Sequence, residues 1–232
     1  ASLYLLCSFQ AVPASARHQN TTTKAASQRH LARHPVSASS RPELWFEHLS
    51  LAEGLSQSSV YAILQDKHGF LWIGTEDGLN RYDGYRFTHY RHDLTNPRSL
   101  SANLVRVLYE DRDGTLWVGT ENGGLNAYDR KTESFTRYQS AFNDDRNAPR
   151  KTDAESEGLG SNFLRGICED AEGTLWIATT NGLNTFNKRT GKWGRMCYSP
   201  NNPAGAGSLS HNHLNSLLLD RDGMIWVGTW GK

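Results

Sequence analysis

The sequence predicts an all-β fold, an incomplete β-propeller with about three and a half four-stranded blades in view. Three observations carry this reading: a strand–turn–strand unit recurs four times, aromatic residues and glycine are plentiful, and the fourth unit stops after two strands. The 232 residues are 37% hydrophobic and 10% aromatic, with 7 Trp and 21 Gly. That balance suits short strands and tight turns better than helix packing. The net charge of +1 provides no electrostatic footprint for nucleic acid or an anionic membrane.

The repeat is defined by fixed offsets. Asp66-Lys67-His68-Gly69-Phe70-Leu71-Trp72-Ile73-Gly74-Thr75 is matched by the segments Asp111 to Thr120, Asp170 to Thr179 and Asp220 to Thr229. In every copy Asp stands six residues before Trp, Gly three before it and Thr three after it. The repeated structural positions are therefore Asp66, Gly69 and Trp72; Asp111, Gly114 and Trp117; Asp170, Gly173 and Trp176; and Asp220, Gly223 and Trp226. The blade units fall at about 54–98, 99–157, 158–207 and 208–232.

Within a unit, Val60 to Leu64 is a β-prone apolar run. Asp66 to Gly69 follows as a turn, since Asp bonds its own backbone and Gly tolerates positive φ. Phe70 to Ile73 is a second strand, Leu79 to Tyr82 a third, and Tyr85 to Tyr90 a fourth. The fourth alternates aromatic and polar residues, as a half-exposed outer strand does. The second copy has an extra Gly in its turn (Gly123-Gly124), and the third carries Ala178 for Gly and Phe186 for Tyr. The polar insertion from Ser140 to Glu157 predicts a surface loop. At the front, residues 43–53, with Trp45-Phe46-Glu47-His48-Leu49, are expected to form a lone outer strand. Its companions would come from beyond Lys232, so the partial propeller of residues 43–232 is expected to belong to a longer chain.

Ala1 to Phe9 is apolar and Ala14-Ser15-Ala16 follows, the pattern of the back half of a secretory signal peptide over residues 1–16. Export is expected, with cleavage after Ala16. Leu6 stands where a lipoprotein signal before Cys7 needs a small residue. Residues 17–42 lack large apolar side chains and are expected to be a disordered linker. Its His18, His30 and His34 are irregularly spaced, which suits a solvated basic tail. Cys168 lies in an apolar strand as a small buried hydrophobe, and whether it bonds Cys197 is left open.

The segments Gly54 to Val60, Asp66 to Thr75 and Asp77 to Gly84 together resemble the two-component regulator propeller repeat, over roughly residues 43 to 232. The whole three-part unit recurs, so the resemblance is specific. It implies one or two seven-bladed propellers in the periplasm as the sensor region of an inner-membrane protein. A β-sandwich, a membrane helix and a histidine kinase (often hybrid) or diguanylate cyclase output would follow. It also implies a homodimer in the longer protein, membrane attachment through downstream segments, and no nucleic-acid contact from this region. The Asp-x-x-Gly-x-x-Trp turn is also similar to the Asp-box of sialidases, but its Asp lies one residue further from Gly.

Three functions compete: a ligand sensor, a carbohydrate-active propeller enzyme of glycosidase or lyase type, and a protein-binding scaffold. The sensor would bind an unknown small molecule or an oligosaccharide such as a glycan. The enzyme reading wants two carboxylates at fixed separation, and none stands out from the repeat, so no catalytic residue, cofactor or metal is assigned. The repeated Trp residues read as inter-blade core, and Asn80, Asn126 and Asn184 as backbone-bonding groups. Ligand candidates are the residues that vary after the Gly/Ala-Thr step: Glu76, Asp77, Glu121, Asn122, Thr180, Asn181 and Trp230. His211 and His213 face one side of an extended segment but lack a third metal ligand.

Overall fold

The computed structural model describes residues 46–140, 158–199 and 208–230. The signal segment, Cys7, the linker with its three His, Trp45, most of the insertion and Lys232 lie outside the described residues. All secondary structure falls within residues 47–232.

Among the described residues, fourteen strands build four antiparallel sheets. The first joins β1 (Val60–Gln65), β2 (Leu71–Thr75), β3 (Gly78–Tyr82) and β4 (Phe87–Tyr90) in simple meander order. The second joins β5 (Val105–Glu110), β6 (Leu116–Thr120), β7 (Leu125–Asp129) and β8 (Ser134–Tyr138). The third joins β9 (Leu164–Glu169), β10 (Thr174–Thr179), β11 (Gly182–Asn187) and β12 (Lys192–Met196). The last holds only β13 (Leu214–Leu219) and β14 (Ile225–Thr229). The first strands of the four sheets, β1, β5, β9 and β13, lie side by side, as inner strands of neighbouring blades do.

Two details differ from the sequence reading. Residues 46–50 carry no ladder, because no strand among the described residues lies beside them; a 3-10 turn, Leu51–Glu53, follows, capped by Ser50. The fourth strand begins at Phe87 rather than Tyr85, because Asp83 Oδ1 accepts from the N–H groups of Tyr85 (2.9 Å) and Arg86 (2.8 Å) and holds them in a turn.

The fixed Asp-to-Trp offset has a direct cause. One Asp carboxylate serves the turn with one oxygen and the Trp with the other. Asp66 Oδ1 accepts from the N–H groups of His68 and Phe70, while Oδ2 accepts from Trp72 Nε1 at 2.7 Å. The same indole bond recurs at Asp111–Trp117 (2.8 Å), Asp170–Trp176 (2.7 Å) and Asp220–Trp226 (2.6 Å). The Gly of each turn takes positive φ, +89° at Gly69, where an L side chain is strained.

The Trp rings then join sheets. Trp72 is fully buried, stacks with Tyr90 at 5.8 Å and meets Tyr128 of the second sheet edge-on at 5.1 Å. Trp117 meets Phe186 of the third sheet at 6.0 Å. Trp176 is half-buried, and Trp226 is exposed because the described residues place no sheet beyond β13–β14. Close approach between sheets explains the residue before Thr. A Cβ on Gly74 would sit 2.6 Å from Val105 Cγ1. The third sheet tolerates Ala178 there, packed with Leu183 and Leu214.

Ion pairs fasten the first sheet to the second and the second to the third. Arg130, just after β7, reaches back to Asp66 (2.8 Å) and also holds Glu110 (3.1 Å). Lys188, at the equivalent place after β11, contacts Asp111 (2.8 Å), Asp113 (2.7 Å) and Glu169 (2.8 Å). Glu110 and Glu169 use their other oxygens to accept from the N–H groups of Lys67 and Arg112 in the preceding sheet. Burial alone would raise the Asp66 and Asp111 carboxyls, but their indole, cationic and backbone donors hold both below the ordinary aspartate range.

Candidate functional site

The repeated polar residues are consumed by the fold. Asn80, Asn126 and Asn184 are fully buried. Asn126 Oδ1 accepts from the Ser101 N–H, and its Nδ2 donates to Ser101 Oγ (2.8 Å) and the Val118 carbonyl (3.1 Å). Asn80 repeats this with Ser56 and Ile73. In the third sheet Gly160 replaces the Ser, so Asn184 instead donates to Thr179 Oγ1 at 3.3 Å. A Cys168–Cys197 disulfide is absent; Cys168 is a buried free thiol, pushed up to about 11 by burial and then by Asp170.

The rim candidates divide. Asp77 is taken by Arg91 at 2.7 Å. Asn122 holds a left-handed turn at φ 71°. Thr180 bonds Ser161, and Asn181 donates to the Gly160 carbonyl. Glu76 accepts from the Tyr61 hydroxyl at 2.5 Å, Glu121 from Arg106 Nε at 2.5 Å, and Trp230 packs on His213 at 5.7 Å. His211 Nδ1 accepts from the His213 N–H. Among the described residues no group of three or more His, Cys, Asp or Glu is placed to hold a metal.

Glu76, Glu121 and Trp230 converge on residues the sequence reading passed over. A cleft of about 320 Å³ is lined by Tyr61, Arg106, Leu164, Arg165, Asn215 and Trp230. All four sheets contribute to it. Its lining follows one rule: Tyr61, Arg106, Arg165 and Asn215 each occupy the second position of an inner strand. In each inner strand the ladder pairs the residues on either side and skips this one, as in Val60↔Thr75 followed by Ala62↔Gly74. Such a bulge frees one residue from the ladder and re-aims its side chain.

The electrostatics are specific. Arg106 Cζ lies 4.3 Å over the Tyr61 ring. Glu121 Oε2 faces both arginines, at 2.5 Å from Arg106 Nε and 3.7 Å from Arg165 Nη1. The second distance is too long for a hydrogen bond. The Tyr61 hydroxyl is raised in pKa, first by its bond to Glu76, so it stays a neutral donor. A larger cleft of about 470 Å³ lies at the opposite strand ends, around Asp113, Glu169 and Lys188. There the cation is already satisfied by three carboxylates, so the space belongs to the inter-sheet fastening.

The model of the two-component regulator propeller matches residues 54–77, 99–122, 158–181 and 208–231. Histidine kinase P4 of Formosa agariphila is 50% identical over 56 residues, which are 24% of this chain and 4% of that protein. The extracellular domain of a hybrid two component system, BT3049, from B. thetaiotaomicron superposes with TM-score 0.62 and 28% identity, over 79% of this chain and 24% of that one. A streptogramin B lyase superposes at TM-score 0.50 with 18% identity, over 75% of this chain and 49% of that one, and so shares the fold alone. The chain spans less than a quarter of the kinase and of the two-component relative. With four matched units, each a strand–turn–strand hairpin built on the same Asp–Trp bond, this chain carries four two-component regulator propeller repeats and has the β-propeller fold.

Proposed function

We propose that this chain is the exported, ligand-sensing propeller of a membrane signalling protein, and that its ligand seats in the cleft between Tyr61 and Trp230. The observation that carries the reading is that four sheets each deliver one bulged, chemically different residue to one cleft. A repeat needs no such variation for stability, and variable residues converging on a concave site are what recognition needs. The likeness to a two-component extracellular domain and the match to a histidine kinase support a periplasmic sensor with kinase output. The signal-like start supports export. A small molecule or oligosaccharide suits the cleft's size and its exposed Trp230 ring. Binding rather than turnover is the activity, because the cleft's carboxylates are engaged with Arg106 and Tyr61.

Thermal-shift screening of the purified chain against a glycan library tests this. A saturable shift that disappears in Trp230→Ala is expected. Chemical conversion of the glycan would overturn the sensor reading in favour of an enzyme. A library-wide absence of shifts, with a partner protein retained through the same rim, would favour a scaffold.

A further inference from the structure

We infer that the cleft selects a ligand carrying a carboxylate beside a ring face, with Arg165 as its principal anchor and Glu121 as an internal competitor. The inference rests on the proposed ligand-binding role of the cleft and adds the ligand's chemistry.

The two guanidiniums of Arg106 and Arg165 face one carboxylate, Glu121, while a second carboxylate, Glu76, is bonded to the Tyr61 hydroxyl, so the positive charge left without a close partner is that of Arg165. Arg106 is occupied: its Nε bonds Glu121 and its planar head covers Tyr61. Arg165 differs. Its side chain makes no hydrogen bond among the described residues, its ion-pair partner Glu121 is 3.7 Å away, and it lines the cleft at 21% exposure. A guanidinium held in a partly dry cleft with its donor fork unused is matched to a planar two-oxygen anion, which it binds through two parallel hydrogen bonds. Glu121 shows that a carboxylate fits between these arginines. A ligand carboxylate would bind Arg165 directly, in place of its long 3.7 Å contact with Glu121.

The flanking residues define the rest of the ligand. Trp230, which like Trp226 has no described sheet beyond it, is 69% exposed, and Tyr61 is 39% exposed with Arg106 over one ring face. These offer flat apolar faces on which a ring can stack. Asn215 supplies a donor and an acceptor from the fourth sheet. Glu76 sits on the Tyr61 hydroxyl, so its charge disfavours a second anionic group at that end and favours a hydroxyl-bearing one.

The test uses isothermal titration of the purified chain with three probes: trigalacturonate, a hyaluronan tetrasaccharide and an alginate trimer, each paired with its methyl-esterified, uncharged form. At least one acid should bind while its ester binds about tenfold or more weakly, the loss expected for one charge-assisted hydrogen-bond pair. Arg165→Gln should weaken that acid by a similar factor with an unchanged circular dichroism spectrum. Glu121→Gln should tighten it, because the competing carboxylate is gone. If Glu121 served only to tie the second and third sheets together, Glu121→Gln would lower the melting temperature with no gain in affinity, and the inference would fall. If esters or neutral glycans bind as well as the acids and Trp230→Ala abolishes this, the carboxylate inference is overturned while the ligand-binding role stands. If neither acids nor neutral glycans bind, both fail.

Discussion

Replacing Lys188 with Met is a direct test of how the sheets are fastened. Lys188 Nζ lies within 2.8 Å of Asp111, Asp113 and Glu169, and the Asp111 and Glu169 side chains are 0% and 2% exposed. Removing one partner of a buried pair costs about 3–5 kcal/mol, because the remaining charge is left uncompensated. Here the carboxylates keep other donors: Trp117 Nε1 and the Thr115 N–H on Asp111, and the Arg112 N–H on Glu169. Asp113 is 76% exposed and contributes little. The expected loss is therefore about 2–3 kcal/mol at pH 7, a fall of very roughly 4–12 °C in melting temperature for a domain of this size. The sign with pH follows from Asp111. Its carboxyl is depressed in the folded state, so this stabilisation is present above the ordinary aspartate pKa and disappears as pH falls through the lower folded value. The difference between wild type and Lys188→Met, measured by urea unfolding with Trp fluorescence, should shrink on acidification. The double variant Lys188→Met/Glu169→Gln should recover part of the loss, since Gln keeps an oxygen for the Arg112 N–H. A cost below about 0.5 kcal/mol at pH 7, the scale of a solvated surface pair, would refute the reasoning.

Other substitutions probe the repeat itself. Trp72→Phe removes a fully buried indole and its bond to Asp66, and should cost about 2–4 kcal/mol, whereas Trp226→Phe, at a 61% exposed ring, should cost under about 1 kcal/mol in the same denaturation assay. Gly182→Ala places a Cβ 2.6 Å from the Met196 carbonyl oxygen at φ 93°, and should lower the melting temperature by several degrees in calorimetry, on the order of 2 kcal/mol. Because burial raises the Cys168 thiol to about 11, iodoacetamide at pH 8 should leave it unmodified in the folded chain and alkylate it in urea, as read by peptide mass spectrometry.

The propeller was legible because each unit writes its hairpin locally. Asp66 and Trp72 are six residues apart, and the turn between them is specified by Asp and Gly. The fastening between sheets was not legible, because Arg130 and Lys188 meet Asp66 and Asp111 across 64 and 77 residues of sequence. Either could as easily be a solvated charge in a turn. The rim was half legible. Variation after the Gly/Ala-Thr step marked Glu76, Glu121 and Trp230, but Asp77, Thr180 and Asn181 spend their polar groups on local pairs and Asn122 serves a left-handed turn. Tyr61, Arg106, Arg165 and Asn215 were hidden inside runs that read as apolar strands. The available signal was a polar or aromatic intruder at the second position of each run. Only the bulge turns that intruder toward the cleft.

That bulge has a consequence for what a substitution in the cleft changes. The ladder skips residues 61, 106, 165 and 215, so no cross-strand pair depends on which side chain stands there. The positions that hold the blades together, from the Asp–Trp bond to the buried Asn, each meet a specific partner. At the four skipped positions the constraint is side-chain contact alone, such as that of Arg106 with Tyr61 and Glu121. A substitution at one of these positions therefore changes the lining of the cleft without removing a ladder pair.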